Sequence, residues 1–498
     1  MRGGAYSRRL SRGRPPLLDF RQILFYIGLL LTGLAVAMTV PALVEAAAGG
    51  RGWIAFVLGA GISVFVGGGL MLATRRESGR LTLRGAFLLT VASWVATAAF
   101  GALPFWFSGL GLSYTDAFFE SISGITSTGA TILKSVDGAP PGILVWRAMT
   151  NWIGGLTFVV VSSSVLPMLN IGGMQIFRAE GIDTPERLLP RAAEIVSATG
   201  GLYVIATALT AAALWAAGMP RFDAVIHAMT AVSTGGFSTR DAQIEAFAGG
   251  WIPWIIAAAM IFGSLPFVLY VEALRGRWRR LLLDAQVHGF FGILAVFAAA
   301  AFFWLWLGRD ERFGAALENA IFDVSSFLSC TGFVKGDIRQ WGGFALTLLF
   351  LLMFVGGCAG STACGIKIFR FQIAYQVFRA QTAKLVQPNG IFVPHYNRQP
   401  VTDDVASAVM GFFFLFAFTF AGLALGLAAF GVDLVSALSG AAAILGNAGA
   451  AFGPLIGPTG NYSSLPDGAK WLCSFGMLIG RLEVFTVFVL FWSGFWRT

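Results

Sequence analysis

Four short glycine turns recur along the chain and are its strongest chemical signal. Each follows a brief apolar segment, and three of them contain a threonine followed by glycine. The four turns are Ser127-Thr128-Gly129, Ser233-Thr234-Gly235, Cys330-Thr331-Gly332 and Asn447-Ala448-Gly449. Their last glycines lie 106, 97 and 117 residues apart. This spacing predicts four copies of a unit of roughly one hundred residues.

Glycine turns of this kind can present backbone carbonyl oxygens to an ion. A dehydrated potassium ion needs several oxygens at once, and neutral carbonyls supply them without trapping the ion as carboxylates would. Glycine also reaches backbone angles that let a carbonyl turn toward a common axis. The hydroxyls of Thr128, Thr234 and Thr331 would add oxygens or brace the loops. The fourth turn has Ala448 in that place, with Asn447 before it, so we expect a chemically unequal ring.

The composition excludes an ordinary soluble globule. The 498 residues are 56% hydrophobic and 12% charged, whereas about a quarter of a typical soluble protein is charged. The net charge of +9 does not indicate nucleic-acid binding, because the basic residues form short clusters between apolar spans. The cysteines lack the spacing of a disulfide framework or a zinc site and are interpreted as small core residues: Cys330, Cys358, Cys364 and Cys473. The chain is therefore predicted to be an all-α polytopic membrane protein.

Ten apolar stretches are long enough to cross a bilayer, which takes about 20 helical residues. They lie near 23–46, 53–73, 86–107, 143–169, 195–218, 251–273, 285–307, 343–375, 405–430 and 469–496. Four shorter segments stand between spans: Asp116–Ser127, Asp223–Ser233, Ala315–Ser329 and Asp433–Leu445. We expect these to be re-entrant pore helices, because irregular backbone at membrane depth is tolerated only where protein or water surrounds it. The aspartates that open three of them suit the positive end of a helix dipole.

Basic clusters predict the orientation of the chain. If the ten spans alternate, they all fall on one side: Arg2 to Arg14, Arg75 to Arg84, Arg178 to Arg191, Arg275 to Arg280 and Lys367 to Lys384. Positive loops stay in the cytoplasm, so both termini are predicted to be cytoplasmic and the pore loops to enter from outside. The polar stretch from Gln381 to Asp404 is then a candidate cytoplasmic docking surface.

This pattern resembles the TrkH/KtrB superfamily of potassium transporters, whose subunits contain four membrane–pore-helix–membrane repeats with one filter glycine each. The resemblance covers nearly the whole chain. It rests on the first loop, Phe119 to Thr131 (FESISGITSTGAT), and on the second, His227 to Phe237 (HAMTAVSTGGF). The third, Ser326 to Phe333 (SFLSCTGF), and the fourth, Leu445 to Gly449 (LGNAG), are looser. Two leading spans outside the repeats favour the TrkH branch.

The resemblance implies a pseudo-fourfold arrangement and a division of the chain into five segments. These are 1–80, with a basic tail and two extra helices; 81–190, repeat 1; 191–280, repeat 2; 281–400, repeat 3 with its intramembrane loop and cytoplasmic linker; and 401–498, repeat 4. It also implies that the twelve residues of the four turns form a selectivity filter for the transported potassium ion. No organic cofactor is expected in this chain.

A glycine-rich segment interrupts the eighth span. Gly356 to Lys367 reads GGCAGSTACGIK, a composition that cannot hold a stable helix. The resemblance implies an intramembrane gating loop beneath the filter, with candidate residues Gly356, Gly357, Gly360, Ser361, Thr362, Gly365 and Lys367. Ala363 and Cys364 depart mildly from the expected run of glycine and small residues. The alternative is that the glycines only permit close helix packing.

Arg481 lies in the last apolar span. An arginine at membrane depth is costly unless it faces an aqueous path or a partner. The resemblance places Arg481 on the inner helix of the fourth repeat, pointing at the conduit below the filter, where its charge would limit cation flow as part of the gate. The alternative is an ion pair with a neighbouring acid.

Other polar residues offer no catalytic arrangement. Glu120 and His227 fall at similar places in the first two pore helices and are interpreted as structural groups that hydrogen bond to neighbouring loops. His288 and His395 have no companions at metal-ligand spacing. We therefore expect a protein that is not an enzyme.

The resemblance implies the pore-forming subunit of a bacterial potassium uptake system, located in the inner membrane. It further implies a homodimer in membrane lipid and a cytosolic nucleotide-binding regulatory subunit of the TrkA type that moves the intramembrane loop. Nucleic acid is not an expected partner.

Two other function classes stay open on the residues alone. A sodium-coupled secondary transporter of a small solute would bind it at the midplane between broken helices, usually within two inverted halves. A membrane enzyme acting on a lipid-linked substrate would show acidic pairs or a metal cluster in an interfacial loop. Four loops of one polarity favour the ion pore over both.

Overall fold

The computed structural model describes residues 20–74, 82–167, 172–177, 185–247 and 249–497, and these are almost entirely helical. Within them, seven helices are long and apolar enough to cross a membrane, and nine spans result if two sharply bent helix pairs are each counted as one. The protein is therefore an all-α integral membrane protein. The predicted basic clusters at 2–14 and 75–80, together with Arg178, lie outside the described residues.

A helical hairpin precedes the four repeats. It consists of α1 (Phe20–Ala37), α2 (Thr39–Ala47) and α3 (Trp53–Thr74). Helices α1 and α3 pack closely at Gly28 and Gly67, where a Cβ atom on Gly28 would lie 2.6 Å from the carbonyl oxygen of Gly67. Small residues let membrane helices approach this closely, so that van der Waals contact can hold them together.

The chain then passes four times through an outer helix, a short pore helix and an inner helix. Repeat 1 contains α4 (Leu83–Gly101), α5 (Leu103–Phe107), the pore helix α6 (Tyr114–Ile125), α7 (Pro141–Val160), a π-helical turn (Val161–Val165) and a 3₁₀ turn (Met174–Phe177). Repeat 2 contains α8 (Pro185–Ala216), the pore helix α9 (Arg221–Val232), a 3₁₀ turn (Gln243–Phe247), α10 (Ile252–Ser264), α11 (Phe267–Glu272), a π-helical turn (Ala273–Arg277) and α12 (Trp278–Leu283).

The second half of the chain repeats this order. Repeat 3 contains α13 (Ala285–Gly308), the pore helix α14 (Phe313–Leu328), a 3₁₀ turn (Ile338–Trp341), α15 (Gly343–Val355), α16 (Ile368–Val386) and an antiparallel hairpin of β1 (His395–Tyr396) and β2 (Gln399–Pro400). Repeat 4 contains α17 (Asp403–Ala429), the pore helix α18 (Leu434–Leu445), α19 (Asp467–Arg481), α20 (Val484–Phe488), a 3₁₀ turn (Val489–Phe491) and α21 (Ser493–Arg497).

Two of the four pore helices, α6 and α18, begin at polar side-chain caps. Ser113 and Asp116 form a capping box at the start of α6, and the carboxylate of Asp433 accepts the N–H of Ser436 at the start of α18. Each cap satisfies helix-terminal N–H groups that lack an intrahelical partner. Helices α6, α9 and α18 have 12 residues each, which gives a length of about 18 Å, too short to cross a bilayer.

Three inner helices break instead of continuing as single spans. The predicted spans 251–273 and 469–496 are both bent, by 94° between α10 and α11 and by 114° between α19 and α20. Pro266 lacks the N–H needed to continue the first helix, and Glu483 has a φ of +62° at the second bend. As predicted, the eighth span is interrupted: α15 ends at Val355, and Gly356 follows with a φ of +74°.

Candidate functional site

Four loops with the same backbone conformation follow the four pore helices. Each helix ends at a cap residue: Thr126, Ser233, Ser329 or Gly446. The next residue is left-handed in every loop, although none of the four is glycine: Ser127 (φ +51°), Thr234 (+50°), Cys330 (+56°) and Asn447 (+53°). This conformation is strained for residues with a Cβ atom, and such strain is typical of functional sites.

The residue after each strained position closes the loop onto its helix. Its N–H donates to the carbonyl five residues earlier, from Thr128 to Ser123 (2.9 Å), Gly235 to Thr230 (2.8 Å), Thr331 to Ser326 (2.9 Å) and Ala448 to Ala443 (2.7 Å). A left-handed glycine then follows: Gly129 (φ +81°), Gly236 (+71°), Gly332 (+78°) or Gly449 (+68°). The four loops are therefore equivalent residue by residue.

This equivalence shifts the predicted correspondence between the first and second loops by one residue. From the sequence, Ser233, Thr234 and Gly235 were predicted to correspond to Ser127, Thr128 and Gly129. In the structure, Ser233 is the helix cap, and the matching triplet is Thr234-Gly235-Gly236. Gly236 was therefore missed. The sequence offers one indication of Gly236, the second glycine of Thr234-Gly235-Gly236. It does not tell which of the two glycines corresponds to Gly129, because either could form the turn.

The four left-handed glycines form a closed circuit of contacts between successive repeats. A Cβ atom on Gly129 would lie 2.5 Å from the carbonyl oxygen of Gly235, and one on Gly236 would lie 2.0 Å from that of Thr331. The circuit continues from Gly332 to the carbonyl oxygen of Ala448 (1.8 Å) and from Gly449 to that of Thr128 (2.4 Å). Any side chain at these glycines would collide with the next loop, so the ring can close only with glycine.

Side chains brace the ring from behind. The hydroxyl of Thr128 lies 2.7 Å from that of Thr126 and accepts a hydrogen bond from the amide nitrogen of Asn447 at 2.9 Å. In the third loop, the hydroxyls of Thr331 and Ser329 lie 2.6 Å apart. Asn447 therefore links the fourth loop to the first, although the fourth loop lacks the threonine.

The glycine-rich segment from Gly356 to Lys367 lies against the second loop and the break between α10 and α11. The N–H of Cys358 donates to Ser264 at 2.9 Å, and that of Thr362 donates to Gly263 at 3.0 Å. The Thr362 hydroxyl lies 2.9 Å from the Gly263 carbonyl oxygen and 3.2 Å from the Thr234 hydroxyl. One buried side chain thus contacts both an inner helix and a filter-like loop.

Arg481 is fully buried at the last turn of α19 and reaches three parts of the molecule. Its guanidinium donates to the carbonyl of Thr362 (2.9 Å), to the carbonyl of Gly154 (3.2 Å) and to the hydroxyl of Ser127 (3.3 Å). In the described part of the chain no carboxylate pairs with it, and the nearby Glu483 instead forms an ion pair with Arg370. Its partners are therefore these oxygens and the sulfur atom of Cys364 at 2.8 Å, and not a carboxylate.

Lys367 brings a second buried positive charge to the same place. Its ammonium group donates to the carbonyl of Ala363 at 3.3 Å and lies 4.8 Å from the ring centre of Phe158. The guanidinium of Arg481 lies 4.2 Å from the same ring centre. Two cations thus share one aromatic side chain beside the segment from Gly356 to Lys367, an arrangement that cation–π attraction stabilises.

Glu120 and His227 have the structural role predicted for them, and each contacts the loop that follows its own pore helix. Glu120 accepts the N–H of Ile132 at 2.7 Å and pairs with buried Arg147 at 2.6 Å. His227 lies 3.0 Å from the hydroxyl of Ser238. Across the described residues, no group of three or more His, Cys, Asp or Glu side chains could hold a metal ion.

The comparisons with known proteins agree with this architecture. The family model described as TrkH, cation transport protein, matches residues 54–305 and 309–496. The Trk system potassium uptake protein TrkI of Halomonas elongata is 41% identical over 476 residues, covering 95% of this chain and 96% of that protein. TrkH of Escherichia coli K12 is 36% identical over 491 residues, covering 96% of this chain and all of its own length.

A solved structure extends the likeness to three dimensions. The crystal structure of the potassium transporter TrkH from Vibrio parahaemolyticus matches with a TM-score of 0.88 at 33% identity, covering 96% of this chain and 100% of that one. The description of the family as transport proteins agrees with the expectation that the chain is not an enzyme. By family model, sequence identity and fold, this chain belongs to the TrkH family of cation transport proteins.

Proposed function

We propose that this chain is the pore-forming subunit of a bacterial potassium uptake system and moves potassium ions through the ring of four loops. The closed circuit of contacts between left-handed glycines and neighbouring carbonyl groups carries the proposal. The relatives named above are potassium uptake proteins, which supports the choice of ion. The two inverted halves expected of a sodium-coupled solute transporter have no counterpart in this fourfold circuit.

The chemistry proposed for the ring is replacement of the ion's hydration shell. The ion would be coordinated by backbone carbonyl oxygens, those of Thr128, Gly235, Thr331 and Ala448. Each of these oxygens lies against the left-handed glycine of the preceding repeat. Neutral carbonyls bind a potassium ion without holding it so tightly that it cannot leave. The negative ends of the four pore helices point at the same place and favour a cation there.

The segment from Gly356 to Lys367 is proposed as the gate. Its hydrogen bonds to Gly263, Ser264 and Arg481 would hold it beneath the ring in a closed position. The buried charges of Arg481 and Lys367 would oppose the passage of cations through the space the loop fills. Release of these contacts would open the path.

The assembly proposed is a homodimer in the bacterial inner membrane with cytoplasmic termini. The Trk-system names of the relatives support a partner of the TrkA type, a cytosolic nucleotide-binding subunit that would move the loop. The stretch from Gln381 to Asp404 offers this partner a surface, because Leu385, Val386 and Ile391 are apolar and strongly exposed there.

Substitution of the two adjacent glycines of the second loop tests the proposed function. Gly236→Ser should abolish potassium preference, because its side chain would collide with the Thr331 carbonyl and the backbone φ of +71° is unfavourable for serine. Gly235 is the matched control: its Cβ would meet the side chain of Asn151 instead of the next loop, and its φ is not left-handed. Gly235→Ser should therefore alter ion preference less.

The measurement is potassium and sodium flux in proteoliposomes, with potassium-dependent growth of an uptake-deficient bacterium as a second readout. If the potassium-to-sodium flux ratio is the same in wild type and Gly236→Ser, the ring is not the filter and the proposal is wrong. A larger loss of preference in Gly235→Ser than in Gly236→Ser would reverse the register of the second loop.

A further inference from the structure

Gln243 combines burial with a strained backbone. Its backbone φ is +49°, a value that residues other than glycine rarely adopt, and only 7% of the residue is exposed. It opens the 3₁₀ turn Gln243–Phe247, seven residues after Gly236. A strained backbone persists only where surrounding contacts hold the residue in place. The contacts of Gln243 therefore show which parts of the structure hold it.

The side-chain amide of Gln243 joins three repeats. Its Oε1 accepts the N–H of Val334, two residues after Gly332, at 2.9 Å. Its Nε2 donates to the carbonyl of Thr459 at 3.2 Å. Because Val334 belongs to repeat 3 and Thr459 to repeat 4, one side chain of repeat 2 fixes both later loops.

The chain of contacts continues to the first loop. Gly460, next to Thr459, accepts the N–H of Thr131 at 2.8 Å. Asp241, two residues before Gln243, accepts the N–H of Val136 at 2.6 Å. All four repeats therefore meet at the short segment Asp241 to Gln243.

This meeting point lies beside the ring. A cavity of about 200 Å³ is lined by Gln243 and Thr459 together with the left-handed glycines Gly129 and Gly236. Gln243 therefore lies close enough to the ring to affect its geometry. An amide has both a donor and an acceptor at its tip, so it can satisfy two loops at once, which neither a carboxylate nor an aliphatic side chain can do.

We infer that Gln243 is a positioning residue that sets the potassium preference of the ring by fixing the third and fourth loops relative to the second. The inference rests on the proposed function. Discrimination between potassium and sodium depends on how the coordinating carbonyls are held, and sites held by a supporting shell of hydrogen bonds keep their geometry best.

The test compares potassium and sodium fluxes of purified variants in proteoliposomes. Gln243→Met keeps the length and buried volume but removes both hydrogen bonds. We expect its potassium-to-sodium flux ratio to fall by roughly threefold to tenfold, about the factor that the net free energy of one neutral hydrogen bond corresponds to. Gln243→Gly removes the side chain while accepting the φ of +49°, and it should lower the ratio similarly. If one of the two fails to assemble, the other decides.

A pair of charged variants separates position from charge. Gln243→Glu keeps the acceptor for Val334 but sets a carboxylate against the Thr459 carbonyl, so its ratio should also fall. Ala246→Glu adds the same charge at an exposed position of the same 3₁₀ turn and should leave the ratio unchanged.

Three outcomes are distinguishable with Gly236→Ser measured alongside. A lower ratio in the Gln243 variants and in Gly236→Ser supports the inference. If the potassium-to-sodium flux ratio is unchanged in the Gln243 variants while Gly236→Ser loses preference, the inference is wrong and the proposed function stands. A purely structural role of Gln243 would give this result, because both fluxes would fall in proportion. An unchanged ratio in all of them overturns the proposed function, and the inference with it.

Discussion

One buried position on the pore helices carries a different residue in each repeat. Six residues before the four helix caps stand Glu120, His227, Asp323 and Gly440. Glu120 accepts the N–H of Ile132, and Asp323 accepts that of the equivalent residue, Lys335, at 3.4 Å. Arg147 neutralises Glu120, whereas the second carboxylate oxygen of fully buried Asp323 has no protein hydrogen-bond partner among the described residues. Equivalent positions thus differ in charge balance.

Glu120→Gln should destabilise the protein. Glutamine keeps an acceptor for the Ile132 N–H but leaves the buried Arg147 without its counter-charge. Removal of one partner from a buried ion pair typically costs about 3–5 kcal/mol. We expect a clearly lower midpoint of thermal unfolding in detergent, followed by tryptophan fluorescence.

Asp323→Asn is the matched control at the equivalent position. Asparagine keeps an acceptor for the Lys335 N–H and removes an acidic group that forms no ion pair within the described chain. A buried acid without a counter-charge does not stabilise the fold, so the unfolding midpoint should stay the same or rise. Equal losses of stability in the two variants would contradict this account of the charge difference.

At the scale of elements, the broken inner helices bring the loop from Gly356 to Lys367 into contact with the ring. Helix α15 ends at Val355, and the loop that follows bonds to the end of α10. Helix α19 ends at Arg481, whose side chain reaches both the loop and Ser127 of the first repeat. The loop therefore cannot move without loss of contacts to two other repeats.

Arg481→Ala should raise potassium flux. The substitution removes a buried charge and the hydrogen bonds to Thr362, Gly154 and Ser127. Hydrogen bonds to charged groups contribute about 1.5–3 kcal/mol each, so loss of even one corresponds to an increase of roughly tenfold or more in the open population. The measurement is the rate of potassium or sodium movement across the membrane of vesicles that contain the purified protein.

Arg481→Lys separates the charge from the geometry of the guanidinium. Lysine keeps the positive charge but cannot donate in a planar fork to several acceptors. We expect its flux to lie between those of wild type and Arg481→Ala. Unchanged flux in Arg481→Ala would remove Arg481 from the gate.

At the scale of the whole molecule, the amino-terminal hairpin supports repeat 1 from outside the ring. Glu45, at the end of α2, is 4% exposed, and its carboxylate accepts the N–H of Gly142 at 2.8 Å in the first turn of α7. A negative charge at a helix amino terminus is stabilising because it satisfies a free N–H and complements the helix dipole. The hairpin therefore anchors α7, the inner helix of repeat 1.

Glu45→Ala should lower the free energy of unfolding by about 1 kcal/mol, the usual contribution of a helix cap. Glu45→Gln keeps an oxygen acceptor for Gly142 and should lose less. The comparison is made by thermal unfolding in detergent at low ionic strength, where the dipole interaction is least screened. If Glu45→Gln lowers the free energy of unfolding as much as Glu45→Ala, the charge and not the hydrogen bond anchors the hairpin.

Much of this architecture follows from local sequence patterns. Long apolar runs predict membrane helices, and the shorter runs Asp116–Ser127 and Asp433–Leu445 predict pore helices that the structure places at Tyr114–Ile125 and Leu434–Leu445. The glycine-rich composition after Val355 correctly predicts an interrupted span. These features depend on hydrophobic length and on turn-forming residues, which act over a few neighbouring positions.

By itself, the sequence determined the membrane class, the four pore helices and the four glycine turns. Only the tertiary structure decided that Gly236 completes the second turn, that Arg481 ends a bent helix among carbonyl oxygens, and that Gln243 ties the repeats together. The physical reason is that a closed ring is defined by contacts between residues about a hundred positions apart or more, such as Gly449 with Thr128. No local pattern reports which of two adjacent glycines will meet the neighbouring loop.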